Sequence, residues 1–179
     1  EVSFWDAEND RYFFVTNKFS DKKNIYTYDP VTREFSDEPV FGHPDFDASF
    51  VVTSSAPSRF GRILGFAYDA DVRKTEWVDP EVGAVMLGLE QAFPGQNVNA
   101  LYISDDLNRI VFSADSSSQP ARYFILDDKS KLSMIGNERP WIKPEDIGQS
   151  ELVFYSARDG MKLPALLTPR AGWQPGDAP

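Results

Sequence analysis

Apolar side chains in this chain fall into short runs instead of wide periodic stripes. Tyr12 to Val15, Ile110 to Phe112 and Tyr123 to Leu126 are apolar at successive positions, without the alternation of a half-exposed strand. Both faces of such a run must be covered. The runs are a few residues long, rich in aromatic and branched side chains, and bounded by turn formers such as Asp105-Asp106-Leu107-Asn108 and Asp127-Asp128-Lys129-Ser130. Length and composition therefore predict strands.

The runs recur. An arginine heads an apolar run at Arg11, Arg62 and Arg109, and each unit closes on an aspartate at Asp29, Asp79 and Asp127. Arginine and aspartate stand 18, 17 and 18 positions apart, and successive arginines 51 and 47. A period of about 50 residues built from short strands and turns predicts propeller blades, here about three units of antiparallel sheet.

Residues 1–53 read as one blade with fragments of its neighbours, having strands near 11–17, 24–29 and 46–53 and a turn at Asp29-Pro30. The second unit, near 60–79, departs from the pattern. Asp79 is a good N-cap, Pro80 suits the first helical position, and Val82, Val85, Met86, Leu89 and Phe93 follow at helical spacing. One inserted helix over 81–92 is predicted, ended by Pro94-Gly95. The third unit predicts four strands near 98–104, 109–115, 121–127 and 131–136. Residues 138–150, with Pro140 and Pro144 around Trp141, read as an extended connector. Beyond them, 151–157 and 161–168 predict a hairpin turned through Arg158-Asp159-Gly160, with Pro164 placing its second strand at an edge. The expected division is blades over 1–137, a connector over 138–150 and a separate hairpin segment over 151–179.

Eighteen basic against 28 acidic side chains give a net charge of −10, which disfavours nucleic acid and anionic membranes as partners. No apolar run is long enough to span a bilayer, and the first residues lack a signal-peptide pattern. The chain is expected to be soluble, in the cytoplasm or the periplasm; the absence of cysteine fits either compartment and removes thiolate chemistry and disulfides. Without an initiator methionine, it is expected to be a processed or excised segment.

Candidate chemistry is sparse. His43 is the sole histidine, and a serine triad would have to join it to Ser49, Ser54 or Ser58, yet His43-Pro44 has the setting of a turn and no nucleophile elbow surrounds any of these serines. Asp6, Glu8 and Asp10 imitate the first half of a calcium loop, but Arg11 stands where glycine is required and Asn17 where the bidentate glutamate belongs. Asp105, Asp106, Asp127 and Asp128 lie in turns, where carboxylates cap backbone amides. Trp5, Trp77, Trp141 and Trp173 are expected to anchor packing. No catalytic, cofactor-binding or metal-ligating residue is assigned.

The segment from Tyr155 to Gly160, an aromatic followed by Ser-Ala-Arg-Asp-Gly, then Leu167-Thr168-Pro169, resembles the opening of the hydrolase domain in the prolyl oligopeptidase family of serine peptidases. The acylaminoacyl-peptidase and dipeptidyl-aminopeptidase branch fits best, although that branch has one further residue between threonine and proline. Asp79-Pro80-Glu81, Phe93-Pro94-Gly95 and Arg139-Pro140-Trp141 extend the likeness over roughly residues 40–179. The resemblance implies the closing blades of a propeller followed by the first hairpin of an α/β-hydrolase domain. It implies a non-catalytic segment that restricts peptide access to the active site, with the hydrolase domain and peptide substrates as partners. The Gly-x-Ser-x-Gly elbow of the family occurs nowhere, so no catalytic residue carries over. A free-standing binding module for a protein or glycan is the competing class. Three units leave a propeller arc open at both ends, so self-association through its blade faces is expected.

Overall fold

The computed structural model describes residues 1–174, which form three consecutive blades and a hairpin. The first blade is a four-stranded meander of β1 (Val2–Asp6), β2 (Arg11–Thr16), β3 (Asn24–Asp29) and β4 (Glu34–Phe35). The second has three strands, β5 (Ala48–Thr53), β6 (Ile63–Asp69) and β7 (Arg73–Trp77), and then α1 (Pro80–Ala92) where a fourth strand would follow. The third is again four-stranded: β8 (Asn97–Ile103), β9 (Arg109–Ser116), β10 (Gln119–Asp127) and β11 (Lys131–Asn137). Beyond a single 3-10 turn at Pro144–Asp146, β12 (Glu151–Ser156) and β13 (Lys162–Leu167) pair with each other alone. No described helix is long and apolar enough to cross a membrane. This is a partial, all-β propeller with one inserted helix, as the repeat predicts.

The blade boundary at the amino end differs from the expectation. Residues 48–53 pair with β6 and open the second blade, and Val2–Asp6, unassigned in the sequence reading, is the true first strand. An apolar run announces a strand but not its neighbour, which depends on the turn between them. Here the Asp6 carboxylate accepts the amides of Glu8 and Asn9 and closes the tight β1–β2 turn, with Asp10 left-handed at φ 47°.

Blades stack face to face. Phe13, Val15 and Ile25 of the first blade meet Ala48, Val51 and Phe66 of the second. The opposite face of the second blade contributes Leu64 to a larger core with Val82, Met86 and Leu89 of α1 and with Ile110, Phe112, Phe124 and Leu126 of the third blade. Phe112 is wholly buried, 5.3 Å from the Phe124 ring and 5.5 Å from Phe93. Burying each such side chain stabilises the fold by roughly 1.5–3 kcal/mol. The predicted stripe of α1 is the face that packs, with Val85 partly covered. Gly83, a poor helix former, has a packing reason: a Cβ there would stand 2.9 Å from Trp77 Cβ.

The end faces are apolar as well. On the outer side of the first blade Phe14, Tyr28 and Phe35 pack edge-on within 5.5 Å of one another, and Phe19, half exposed, joins Tyr26 and Phe35. The Lys18 ammonium lies 5.1 Å from both the Phe19 and the Phe35 rings. The third blade leaves Leu101, Tyr102, Met134 and Ile135 exposed.

Candidate functional site

The meanders place the turns at two ends of the stack. The turns after the first strand of each blade, 7–10, 54–62 and 104–108, share one end. The 17–23 and 70–72 turns share the other with the interblade segment around residue 45. At this second end a cleft of about 620 Å³ is lined by Glu1, Asp21, Lys22, Lys23, Asp45, Asp47 and Asp69, with Pro164 of β13 at its border. Asp47 is already engaged, accepting the Lys23 amide at 2.9 Å. At the first end a cleft of about 870 Å³ runs between the β1–β2 turn and the segment 57–63.

His43 sits in the 36–47 segment as a turn cap. Its Nδ1 accepts the amides of Asp45 at 3.1 Å and Phe46 at 3.3 Å, and its ring stacks on Tyr68 at 4.6 Å. A nitrogen held as an acceptor by backbone donors is unavailable as a general base. Two of the serines considered with it are engaged elsewhere: Ser54 Oγ accepts the Ala56 amide, and the Ser58 hydroxyl donates to Asp105 Oδ1 at 2.5 Å. The ring's neighbours, Phe46 and Tyr68, are aromatic.

The acidic residues close turns. Asp6 faces two opposed influences: partial burial raises its pKa, while hydrogen bonds from the Asn9 side chain and amide and from Arg11 outweigh it, holding the carboxyl below its ordinary 3.8. Asp106 is lowered first by the Asn108 amide, then by the Ser104 hydroxyl and the Asn108 side chain. Asp128 pairs with Lys131 at 2.8 Å. No group of three or more side chains suited to hold a metal ion occurs among the described residues.

The repeated arginine and aspartate resolve into ion pairs, not always with the partner that the spacing suggests. Arg109 meets Asp127 at 2.7 Å and Arg62 meets Asp79 at 3.0 Å. Arg11 turns instead to Asp6 at 3.3 Å, while Asp29 accepts the Val31 and Thr32 amides of its own turn. Asp79 does two jobs: its Oδ1 caps α1 by accepting the Glu81 and Val82 amides, each at 3.1 Å, while Oδ2 holds Arg62. The loop linkage that sequence reasoning missed joins blades two and three: the Ser58 amide and hydroxyl bind Asp105, and Arg59 Nη2 donates to the Asp105 carbonyl at 2.7 Å. Nothing in the local pattern announces it, since its partners are nearly a full repeat apart.

Stacked antiparallel meanders of this order define the class of the fold, a β-propeller arc. Solved structures with the same arrangement include one from a study of two prolyl endopeptidases, with a TM-score of 0.53 and 16% identity, and dipeptidyl peptidase 4 of Porphyromonas gingivalis, with a TM-score of 0.55 and 13% identity. Each likeness covers 97% of this chain and 24% of the other, so the chain spans about a quarter of the length of these neighbours. Neither a family model nor a curated protein matches the sequence.

Proposed function

We propose that this chain is a non-catalytic propeller segment of a serine peptidase of the prolyl oligopeptidase type, in its acylaminoacyl-peptidase and dipeptidyl-aminopeptidase branch. In this reading residues 1–137 are propeller blades, 138–150 a connector and 151–179 the opening of a hydrolase domain. The blades restrict which peptides reach the active site. The observation that carries the reading is the extent of the likeness to the two peptidase structures: at 97% of the chain it runs through the blades and on into β12 and β13. The Arg158-Asp159-Gly160 turn adds support, with Asp159 accepting the Met161 amide and Gly160 at φ 86°, the geometry for which the motif selects.

Extending the expressed chain by the coding sequence that follows Pro179 tests this. A His-Gly-Gly-Pro loop and a Gly-x-Ser-x-Gly elbow are expected there, with turnover of acyl-peptide or aminoacyl chromogenic substrates by the extended chain and none by residues 1–179. Activity of the segment itself that survives repurification and is lost in His43→Ala would sink the proposal. The partners of the segment are then the hydrolase domain and the peptide substrates. Expressed alone it self-associates through its apolar end faces. Light scattering at micromolar concentration checks this, and a stable monomer that binds no hydrophobic dye would refute it.

A further inference from the structure

Pro30, Pro44 and Pro80 each follow a residue whose side chain caps the turn that the proline begins. In Asp29-Pro30-Val31-Thr32 the Asp29 carboxylate accepts the Val31 and Thr32 amides at 2.7 and 3.1 Å. In Asp79-Pro80-Glu81-Val82 the Asp79 carboxylate accepts the Glu81 and Val82 amides, each at 3.1 Å. His43-Pro44-Asp45-Phe46 has the same form, with Nδ1 of the imidazole accepting the Asp45 and Phe46 amides at 3.1 and 3.3 Å. The reason is shared: proline has no amide of its own, so the first donors of the turn stand two and three residues beyond the cap. Only the acceptor differs. A carboxylate goes on accepting through mild acid, whereas an imidazole loses its acceptor on taking up one proton, because both ring nitrogens of the imidazolium are donors. Histidine is also the side chain whose charge ordinarily changes between about pH 5 and 8.

The His43 cap stands at the joint between the first two blades. Upstream, the Phe41 carbonyl accepts the Ile25 amide of the first blade at 2.8 Å. Downstream, the Asp47 carbonyl accepts the Asp69 amide of the second blade at 3.1 Å, and the Ala48 amide donates to the Lys23 carbonyl at 2.8 Å. Between these anchors, among the described residues, the amides of 42–46 find no protein acceptor except the imidazole. The ring stacks on Tyr68 of β6 at 4.6 Å and has Phe46 5.0 Å away, a setting that accommodates imidazolium as well as imidazole.

The charged groups around this ring come from three elements. Its own segment carries Asp45 and Asp47. Behind it the Tyr68 phenol is held above its ordinary value, first by burial and then by Glu76, Glu90 and Asp71. On the 17–23 turn, Lys22 pairs with Asp21 at 2.8 Å and lies in the field of Asp47 and Asp45. None of these residue types ordinarily titrates between about pH 5 and 8, so a change in that window belongs to the imidazole.

We propose that His43-Pro44 is an acid-sensitive joint between the blades: protonation of the imidazole ends its cap and frees Asp45 and Phe46, which line the cleft at this end. The turns at Asp29 and Asp79 keep their acceptors in the same window, so the change is confined to the joint. The inference rests on cap geometry alone and is independent of the peptidase reading.

The test uses the full chain labelled with 15N in histidine, which marks a single residue, together with deuterium exchange of the 42–49 stretch. Exchange is read by mass spectrometry against an unfolded reference at each pH. At about pH 8 the ring proton is expected on Nε2 alone, and at about pH 5 on both nitrogens. Protection of the stretch should fall at least about threefold over that range, while the stretch around Asp79 keeps its own. His43→Asn places an oxygen where Nδ1 stands and does not titrate, so it should keep the alkaline protection at both ends of the range. His43→Ala, without an acceptor, should show the low protection at both. The Glu1 amino group, at the same cleft, is present in all three chains and cannot account for a difference between them. A proton on Nδ1 at the alkaline end, a ring still neutral at the acid end, constant protection while the ring titrates, or an equal fall in His43→Asn would each overturn the inference.

Discussion

The second and third blades share a core and a repeated arginine and aspartate, yet the same pair does different work in each. In the third blade Arg109 and Asp127 face each other directly across β9 and β10 with 60% and 34% of their side chains exposed. In the second, Asp79 is 2% exposed, caps α1 with one oxygen and holds Arg62 with the other. Similar sequence spacing therefore yields a surface pair of small energetic weight in one place and the start of a helix in the other. What separates them is Pro80: it cannot donate to a ladder but suits the first turn of a helix, so the chain leaves the sheet where the third blade adds a strand.

The core between these blades sets the scale for every comparison. Phe112→Ala empties a wholly buried site and should cost about 3–5 kcal/mol in urea unfolding. Because α1 and both blades share that site, probes in the second and third blades should lose stability together; loss confined to the third would mean that the blades unfold independently.

Asp79→Ala comes next. It removes a cap, contributing about 1 kcal/mol, and leaves buried amides of α1 without an acceptor, so a total of roughly 2–3 kcal/mol is expected. Asp79→Asn keeps an oxygen for the cap and should cost less, which separates the cap from the ion pair. The matching change in the third blade, Asp127→Ala, should cost under about 1 kcal/mol, because both partners are solvated. Equal costs at Asp79 and Asp127 would break the comparison.

The smallest effect is expected in acid. Asp6 and Asp106 have folded pKa values held below the ordinary carboxylate value of 3.8. Their contribution is thus complete above that value and is lost as pH falls through the depressed folded value. Asp6→Asn and Asp106→Asn should each flatten the stability profile below about pH 4 and leave it unaltered at pH 7, apart from a constant offset. A changed slope near neutrality would contradict the assignment.

Most of this architecture is legible in the chain itself, where the signal is local. The third blade, predicted near 98–104, 109–115, 121–127 and 131–136, has strands within a few residues of those limits, since Asp106 and Asp128 sit in tight turns between uninterrupted apolar runs. The helix was readable from Asp79-Pro80 and its stripe. What the sequence hides is pairing across longer connections. Sequence alone groups the strand near 46–53 with the first blade, and its pairing with β6 across the 54–62 connection places it in the second. The Arg11 partner was equally hidden: the repeat spacing points to Asp29, and the structure pairs Arg11 with Asp6 across the β1–β2 turn instead. The linkage of Ser58 and Arg59 to Asp105 is tertiary and leaves no local trace.

Among the described residues every ladder joins strands that are neighbours in sequence, and each large core joins adjacent blades. As the polypeptide leaves the ribosome, a blade can therefore complete its own hydrogen bonds once its last strand emerges, without waiting for residues still to be made. Only the faces wait: the first blade emerges with one side ready for the second, and the second is finished on its far side when α1 meets Phe112 and Phe124. Synthesis in this order lays down the arc one blade at a time, with the most recent apolar face as the template for the next.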